Sequence, residues 1–236
     1  MRRFFFIAIM LATALAFAFT SCKDDEDVYI LDVTMSPTDE SREYPLVWGQ
    51  NETLDVNFSL VADVPGWIDP TIKSIEIYLN DELIGSSLAG TGTTISHPLA
   101  DIPKGFAVLK TITEITTKGR SQDIKLTKPF YLWITDVKPA TTASINCQSE
   151  ISNGEDLNCT FDYSCNVDEA ELYSTELYLD GKAVASSTSS PFDISYKIEG
   201  LSNGAHEVQG VVSWTKKDSH MFVMRRATDK QTLTVK

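Results

Sequence analysis

The chain repeats itself, and the repeated unit alternates apolar and polar residues with a period of two. Ser74 to Ser87 reads SIEIYLNDELIGSS, and Ser174 to Ser187 reads STELYLDGKAVASS, so the pattern returns at an offset of 100 positions. Upstream, Leu54, Val56, Phe58 and Leu60 alternate with polar residues as Leu157, Cys159, Phe161 and Tyr163 do, at an offset of 103. Downstream, Ile102, Pro103, Lys104 and Gly105 align with Leu201, Ser202, Asn203 and Gly204 at an offset of 99. A drift of a few residues is what loop insertions leave between related strands. The sequence therefore holds two copies of one unit of roughly 100 residues.

Alternation of this kind belongs to half-buried strands, whose side chains point to opposite faces in turn. Turn residues separate the strands. Asp180 and Gly181 stand between ELYL and KAVA, a dipeptide that tolerates the positive φ angles of a tight hairpin, and Asn80 and Asp81 take that place in the first copy. Asn153 and Gly154 mark a second hairpin, Asn203 and Gly204 a third turn, and Lys118–Gly119 and Lys217–Asp218 the last turn of each copy. After residue 27 no stretch sustains a 3.6-residue apolar repeat over three turns. The expected fold is all-β, two tandem β-sandwich domains of antiparallel sheets, spanning 28–137 and 138–236 with a short linker near Asp136, Val137, Lys138 and Pro139.

The amino-terminal segment has a different character. Arg2 and Arg3 precede an uncharged, mostly apolar run from Phe4 to Phe19, then Thr20, Ser21 and Cys22. Sixteen residues of helix reach roughly 24 Å, short of a bilayer's hydrocarbon core of about 30 Å, so the run reads as a removable signal peptide over 1–21. Lys23, Asp24, Asp25, Glu26 and Asp27 follow, making 22–27 a candidate lipidated cysteine and acidic tether. Loss of the first 21 residues leaves 18 basic and 33 acidic side chains, a formal charge of -15. Nucleic acid is not an expected partner, because binding it relies on lysine and arginine displacing counterions.

Two resemblances attach to these residues. Phe19, Thr20, Ser21, Cys22 resembles the lipobox of bacterial lipoproteins, with Phe19 where leucine is usual. The acidic string after it resembles the export signal that sends lipoproteins of Bacteroidota to the outer face of the outer membrane. The resemblance implies acyl chains, palmitate among them, on Cys22, and two or more chains give stable anchoring. A periplasm-facing lipoprotein is the alternative. In the second copy, ELYLDGKAVASS and SPFDISYKIEGLSNGAHEVQGVV resemble bacterial immunoglobulin-like domains of cell-surface proteins, whose strands carry a YxDGxxV hairpin and an NGxHxV turn. The first copy keeps Gly105 but has Lys104 for the asparagine and Ala107 where His206 stands. The resemblance implies two tandem immunoglobulin-like β-sandwich domains, the first through the repeat, and implies no activity.

Catalytic and metal-binding signatures are missing. There is no HExxH, CxxC, GxSxG or phosphate-cradling glycine loop, and His97, His206 and His220 have no partner at ligand spacing, so no cofactor, metal or enzyme activity is expected. Cys147 and Cys159 are symmetric about Asn153, so a hairpin there opposes them on one face within reach of a disulfide. Buried thiols acting as small apolar residues are equally open, since Val56 fills the place of Cys159 in the first copy; Cys165 is a competitor or stays free.

Aromatic residues supply the binding candidates. Trp67, in the turn-rich stretch VPGWIDP, can stack on a sugar ring or fold back over the sandwich edge, and Trp48 is similarly ambiguous. His220, Met221 and Phe222 crowd the final hairpin, whereas Trp133 and Trp214 lie in strand patterns and read as packing residues. The function expected is a non-catalytic cell-surface lipoprotein, a binding module for glycans beside an outer-membrane uptake system. An adhesion or scaffold lipoprotein that binds an envelope or host protein is the alternative.

Overall fold

A computed structural model describes residues 30–66, 68–90, 92–118 and 122–236. The segment 1–21 read as a signal peptide, Cys22, Lys23, Asp24, Asp25, Glu26, Asp27 and Trp67 lie outside the described residues. In chain order the first half contributes β1 (Ile30–Pro37), β2 (Val47–Gly49), β3 (Thr53–Asp63), β4 (Thr71–Leu79), β5 (Glu82–Gly90), β6 (Gly92–Pro98), β7 (Gly105–Thr116) and β8 (Ile124–Thr135). The second half contributes β9 (Thr141–Cys147), β10 (Glu150–Ile151), β11 (Asp156–Cys165), β12 (Ala170–Leu179), β13 (Lys182–Ser187), β14 (Ile194–Lys197), β15 (Gly204–Lys216), β16 (Met224–Ala227) and β17 (Gln231–Val235).

The fold is all-β, and both copies have the same strand order. In the first, β1-β3-β6 forms one sheet and β2-β8-β7-β4-β5 the other; in the second, β9-β11-β14 forms one and β10-β17-β15-β12-β13 the other, with β16 also on β15. In each copy the opening strand pairs antiparallel in one sheet, and a short piece after it adds in parallel to the closing strand of the other: β2 on β8, β10 on β17. That order, three strands facing a sheet built around the later strands, is an immunoglobulin-like sandwich. Two tandem copies of it make up the described chain.

Turn chemistry and parity explain the local geometry. Asn80, Asp81, Asp180 and Gly181 take positive φ angles of 48°, 69°, 49° and 75°, as a two-residue hairpin requires. Leu54, Val56 and Phe58 are buried, as are Leu157, Cys159 and Phe161, so the alternating strand of each copy turns its apolar set inward. Leu79 and Leu179 are buried, while Tyr78 and Tyr178 lie on the other face, each donating its hydroxyl to the Glu two residues upstream at 2.8 Å. Trp133 and Trp214 are core residues.

Two compact units emerge. The first takes described residues 30–40, 55–95 and 108–130; the second takes Ser41–Leu54, Ser96–Ala107 and Tyr131–Lys236. The second unit is thus larger than the second repeat. Its core joins Tyr44, Val47 and Trp133 to Leu157, Leu177, Val212, Trp214 and Phe222. Within it the linker is fixed at both ends: Thr135 Oγ1 donates to the Val137 carbonyl at 2.7 Å, and the Lys138 N–H donates to Asn51 Oδ1 at 2.9 Å. Gly49 lies so close that a Cβ there would sit 2.3 Å from the Lys138 nitrogen.

The closing strand of the second copy is broken where that of the first is continuous. β16 pairs with Val211–Trp214 and β17 with Gly204–Val208, and between them the Gly210 N–H donates to Thr228 Oγ1 at 2.9 Å. A Cβ at Gly210 would stand 2.5 Å from the Phe161 ring, so the break and the glycine let β15 press onto the opposite sheet.

Candidate functional site

Two of the aromatic candidates are not available to a ligand, and this corrects the sequence reading. Trp48 is 3% exposed. Its Nε1 donates to the Pro45 carbonyl at 3.0 Å, and the Arg42 guanidinium lies 3.5 Å from its ring centroid, so both its polar edge and one face are already used. Arg42 is held in turn by Glu52: Nη1 donates to Oε1 at 2.8 Å and Nη2 to Oε2 at 3.0 Å, with further bonds to the Tyr44 and Val47 carbonyls. The Arg42 and Glu52 side chains are only 8% and 12% exposed. Burial alone would raise the Glu52 carboxyl, but the Arg42 hydrogen bond, the Gly49 N–H and the Arg42 charge together hold it below its ordinary value. Phe222 is also 3% exposed, its ring 6.1 Å from Trp133 and 6.4 Å from Phe106. The sequence placed Phe222 with His220 and Met221 in the final hairpin as a contact candidate, yet the segment alternates there, turning Phe222 and Met224 inward and Met221 and Val223 outward.

His220 is exposed, with its ring centroid 5.1 Å from Tyr173. Around it the surface is apolar. Met221 and Val223 flank the buried Phe222 and are 42% and 44% exposed. Phe106, 52% exposed, stacks on Tyr131, 37% exposed, at a centroid distance of 5.5 Å. Phe222 lies between two exposed groups: its ring meets Phe106 within the fold, and its chain neighbours Met221 and Val223 are turned outward. Sequence reasoning missed Phe106 and Tyr131. Their alternation with Ala107 and Leu132, both buried, carries the signal, since parity then turns the two aromatics outward.

Cysteine geometry follows from register. Cys147 pairs directly with Cys159 across β9 and β11, and a disulfide joins them with Cα atoms 4.5 Å apart. Cys165, opposite Thr141, is a free, half-buried thiol, and burial raises its pKa above the usual range. It is a poor nucleophile at neutral pH.

Charged groups meet at the other end of the second copy. The His206 ring places Nδ1 2.8 Å from Asp180 Oδ2 and Nε2 2.8 Å from the Ser202 carbonyl oxygen, with Asp180 Oδ1 accepting the Glu207 N–H at 2.9 Å. An open hollow of about 320 Å³ lies beside them, lined by Asp180, Ala205, His206, Glu207, Lys230, Gln231 and Thr232. Among the described residues, no group of three or more His, Cys, Asp or Glu side chains is placed to hold a metal ion.

No family model matches the chain, and no curated protein matches it. Among solved structures, the fibronectin(III)-like modules of Clostridium thermocellum CbhA are similar at 16% identity with a TM-score of 0.45, over 86% of this chain and 93% of that one. A Corynebacterium diphtheriae protein described as membrane anchored is similar at 9% identity with a TM-score of 0.27, over 86% of this chain and 57% of that one. Likeness at this level adds nothing to the strand order, which carries the fold assignment by itself.

Proposed function

We propose that the chain is a non-catalytic interaction module, held on the outer membrane by lipid on Cys22 and displayed to the cell exterior, that engages an envelope or host protein through the second compact unit. The observation that carries this reading is the exposed stacked pair of Phe106 and Tyr131. Protein interfaces are enriched in aromatic residues and methionine at their centres, and contiguous exposed apolar patches mark contact surfaces. Cys22 and the acidic run from Lys23 to Asp27 support the membrane setting. The glycan reading loses support at Trp48 and Phe222, which are buried, and rests on Trp67.

A photocrosslinker in place of Phe106, incorporated in living cells, tests the proposal beside a polysaccharide binding screen. Capture of one defined envelope or host protein, abolished by Phe106→Asp and by Tyr131→Asp, is the expected result. Polysaccharide binding that is lost with Trp67→Ala and untouched by Phe106→Asp would transfer the function to the glycan reading. Surface display has its own check: protease sensitivity of the protein on whole cells is expected to vanish when Lys23 to Asp27 are made neutral.

A further inference from the structure

The His206 ring is 10% exposed and has an oxygen acceptor at hydrogen-bond distance from each nitrogen: Asp180 Oδ2 and the Ser202 carbonyl, both at 2.8 Å. A neutral imidazole has one N–H and one lone pair. Either tautomer would therefore aim a lone pair at an oxygen, and only the imidazolium donates to both partners. Backbone bonds already anchor each segment: the Asp180 N–H donates to the Glu207 carbonyl at 2.8 Å, and Leu201, beside Ser202, is bonded to Asn153 in both directions, so the ring adds a cross-tie to an existing frame. Asp180 sits in the β12–β13 turn, Ser202 in the turn that enters β15, and His206 on β15 itself. The same carboxylate also accepts the Glu207 N–H, so the ring and the strand amide share one anchor.

We propose that His206 is a protonation-operated clasp on one end of the second sandwich. Doubly protonated, it braces the β12–β13 turn and the Ser202 turn against β15; release of one ring proton to solvent leaves one of the two oxygens without a donor and loosens the adjoining turn. The other charged groups here do not take over the role. Lys230, before β17, is paired with Glu207 at 2.9 Å, and Lys182, on β13, acts on Asp180 only through space. The Asp180 hydrogen bond first, and the Ser202 carbonyl second, raise the His206 pKa above its ordinary 6.5 against the opposing effect of burial. Asp180 moves the other way, lowered first by the Glu207 N–H and then by His206. The sign follows: the histidine's contribution is complete below about pH 6.5 and is lost as pH rises through the raised folded value.

The first copy is an internal control. Asn80 Oδ1 accepts the Val108 N–H at 3.0 Å in the same way, but Ala107 stands in the histidine's place, so no imidazole ties that turn. The test is NMR on the intact chain, following the imidazole nitrogens and the amide exchange of Asp180 and Glu207 against pH. Both ring nitrogens are expected to be protonated at pH 6.5, with a titration midpoint above it. Exchange protection at Glu207 should fall by about tenfold or more across that midpoint while protection at Val108 holds. Asp180→Asn should lower the midpoint and flatten the protection profile, with the signals of the first copy unchanged as the check on folding. A single neutral tautomer at pH 6.5, or protection at Glu207 that is constant through the His206 titration, overturns the proposal.

Discussion

The two copies build the same pair of turns and reinforce them at opposite places. At the turn between β2 and β3 the Gly49 N–H donates to Glu52 Oε2 at 2.7 Å, and between β10 and β11 the Ser152 N–H donates to Glu155 Oε2 at 2.9 Å. The backbone bonds correspond as well: Glu52 to Gly49 and Leu99 to Glu52 in one, Glu155 to Ser152 and Ile198 to Glu155 in the other. Only the first has a buried arginine on its carboxylate. At the hairpin turn the situation reverses, because Asp180 carries a histidine and Asn80 carries none. The backbone frame is shared, and each copy adds one charged partner of its own. Arginine stays charged at every pH the protein meets, whereas histidine does not. The chemistry of the partner therefore decides which turn responds to pH near neutrality.

The largest expected effect comes from breaking the buried member of this comparison. Arg42→Ala leaves the Glu52 carboxylate nearly enclosed without its partner and uncovers the Trp48 face, and a loss of about 3–5 kcal/mol is expected in denaturant unfolding. Glu155→Ala removes an exposed turn contact and should cost about 1 kcal/mol or less. Equal losses at the two turns would show that the arginine adds nothing. The pH sign at Glu52 is the opposite of that at His206. Its folded value is lowered, so its contribution is present above about pH 4.5 and is lost as pH falls through the folded value.

A second contrast lies between the opening strands. Cys147 and Cys159 are joined where the first copy pairs Pro37 with Val56. Cys147→Ala with Cys159→Val gives the second copy the apolar solution of the first. Loss of so short a loop's closure is expected to cost about 2–4 kcal/mol, read as a shift in the unfolding midpoint. Alkylation without reduction should label Cys165 alone in the described chain, and labelling of Cys147 and Cys159 as well would remove the basis for the difference.

These contrasts also show what was legible in the sequence. The hairpins were, because Asp180, Gly181, Asn80 and Asp81 are residues that accept positive φ at low cost, and parity alone places Cys147 opposite Cys159 once Asn153 marks the turn. The fate of Trp48 was not. A tryptophan beside a turn looks the same whether it faces solvent or lies under a guanidinium, and what decides it is that Arg42 is pinned by Glu52, ten residues downstream. The close approach of β15 to the other sheet was equally hidden, since it brings Gly210 against the Phe161 ring from a distant strand. Phe106 and Tyr131 lay between these cases: their outward parity was readable, their stacking across two strands was not.

The smallest effect is the most discriminating. Asn80→Asp gives the first copy the carboxylate of the second without its histidine. The side chain can still accept the Val108 N–H, so the turn geometry is retained. A new charge appears beside Asp81, which already pairs with Lys110 at 2.7 Å, and the lysine is placed to offset part of the repulsion. If the histidine is what makes the second turn responsive near neutrality, the stability of Asn80→Asp should run parallel to that of the parent between pH 6 and pH 8. Only below about pH 4, where a free aspartate gains its proton, should the two curves change their spacing. A new slope near pH 7 would mean that the carboxylate itself, and not the imidazole it holds, sets the pH dependence of the turn.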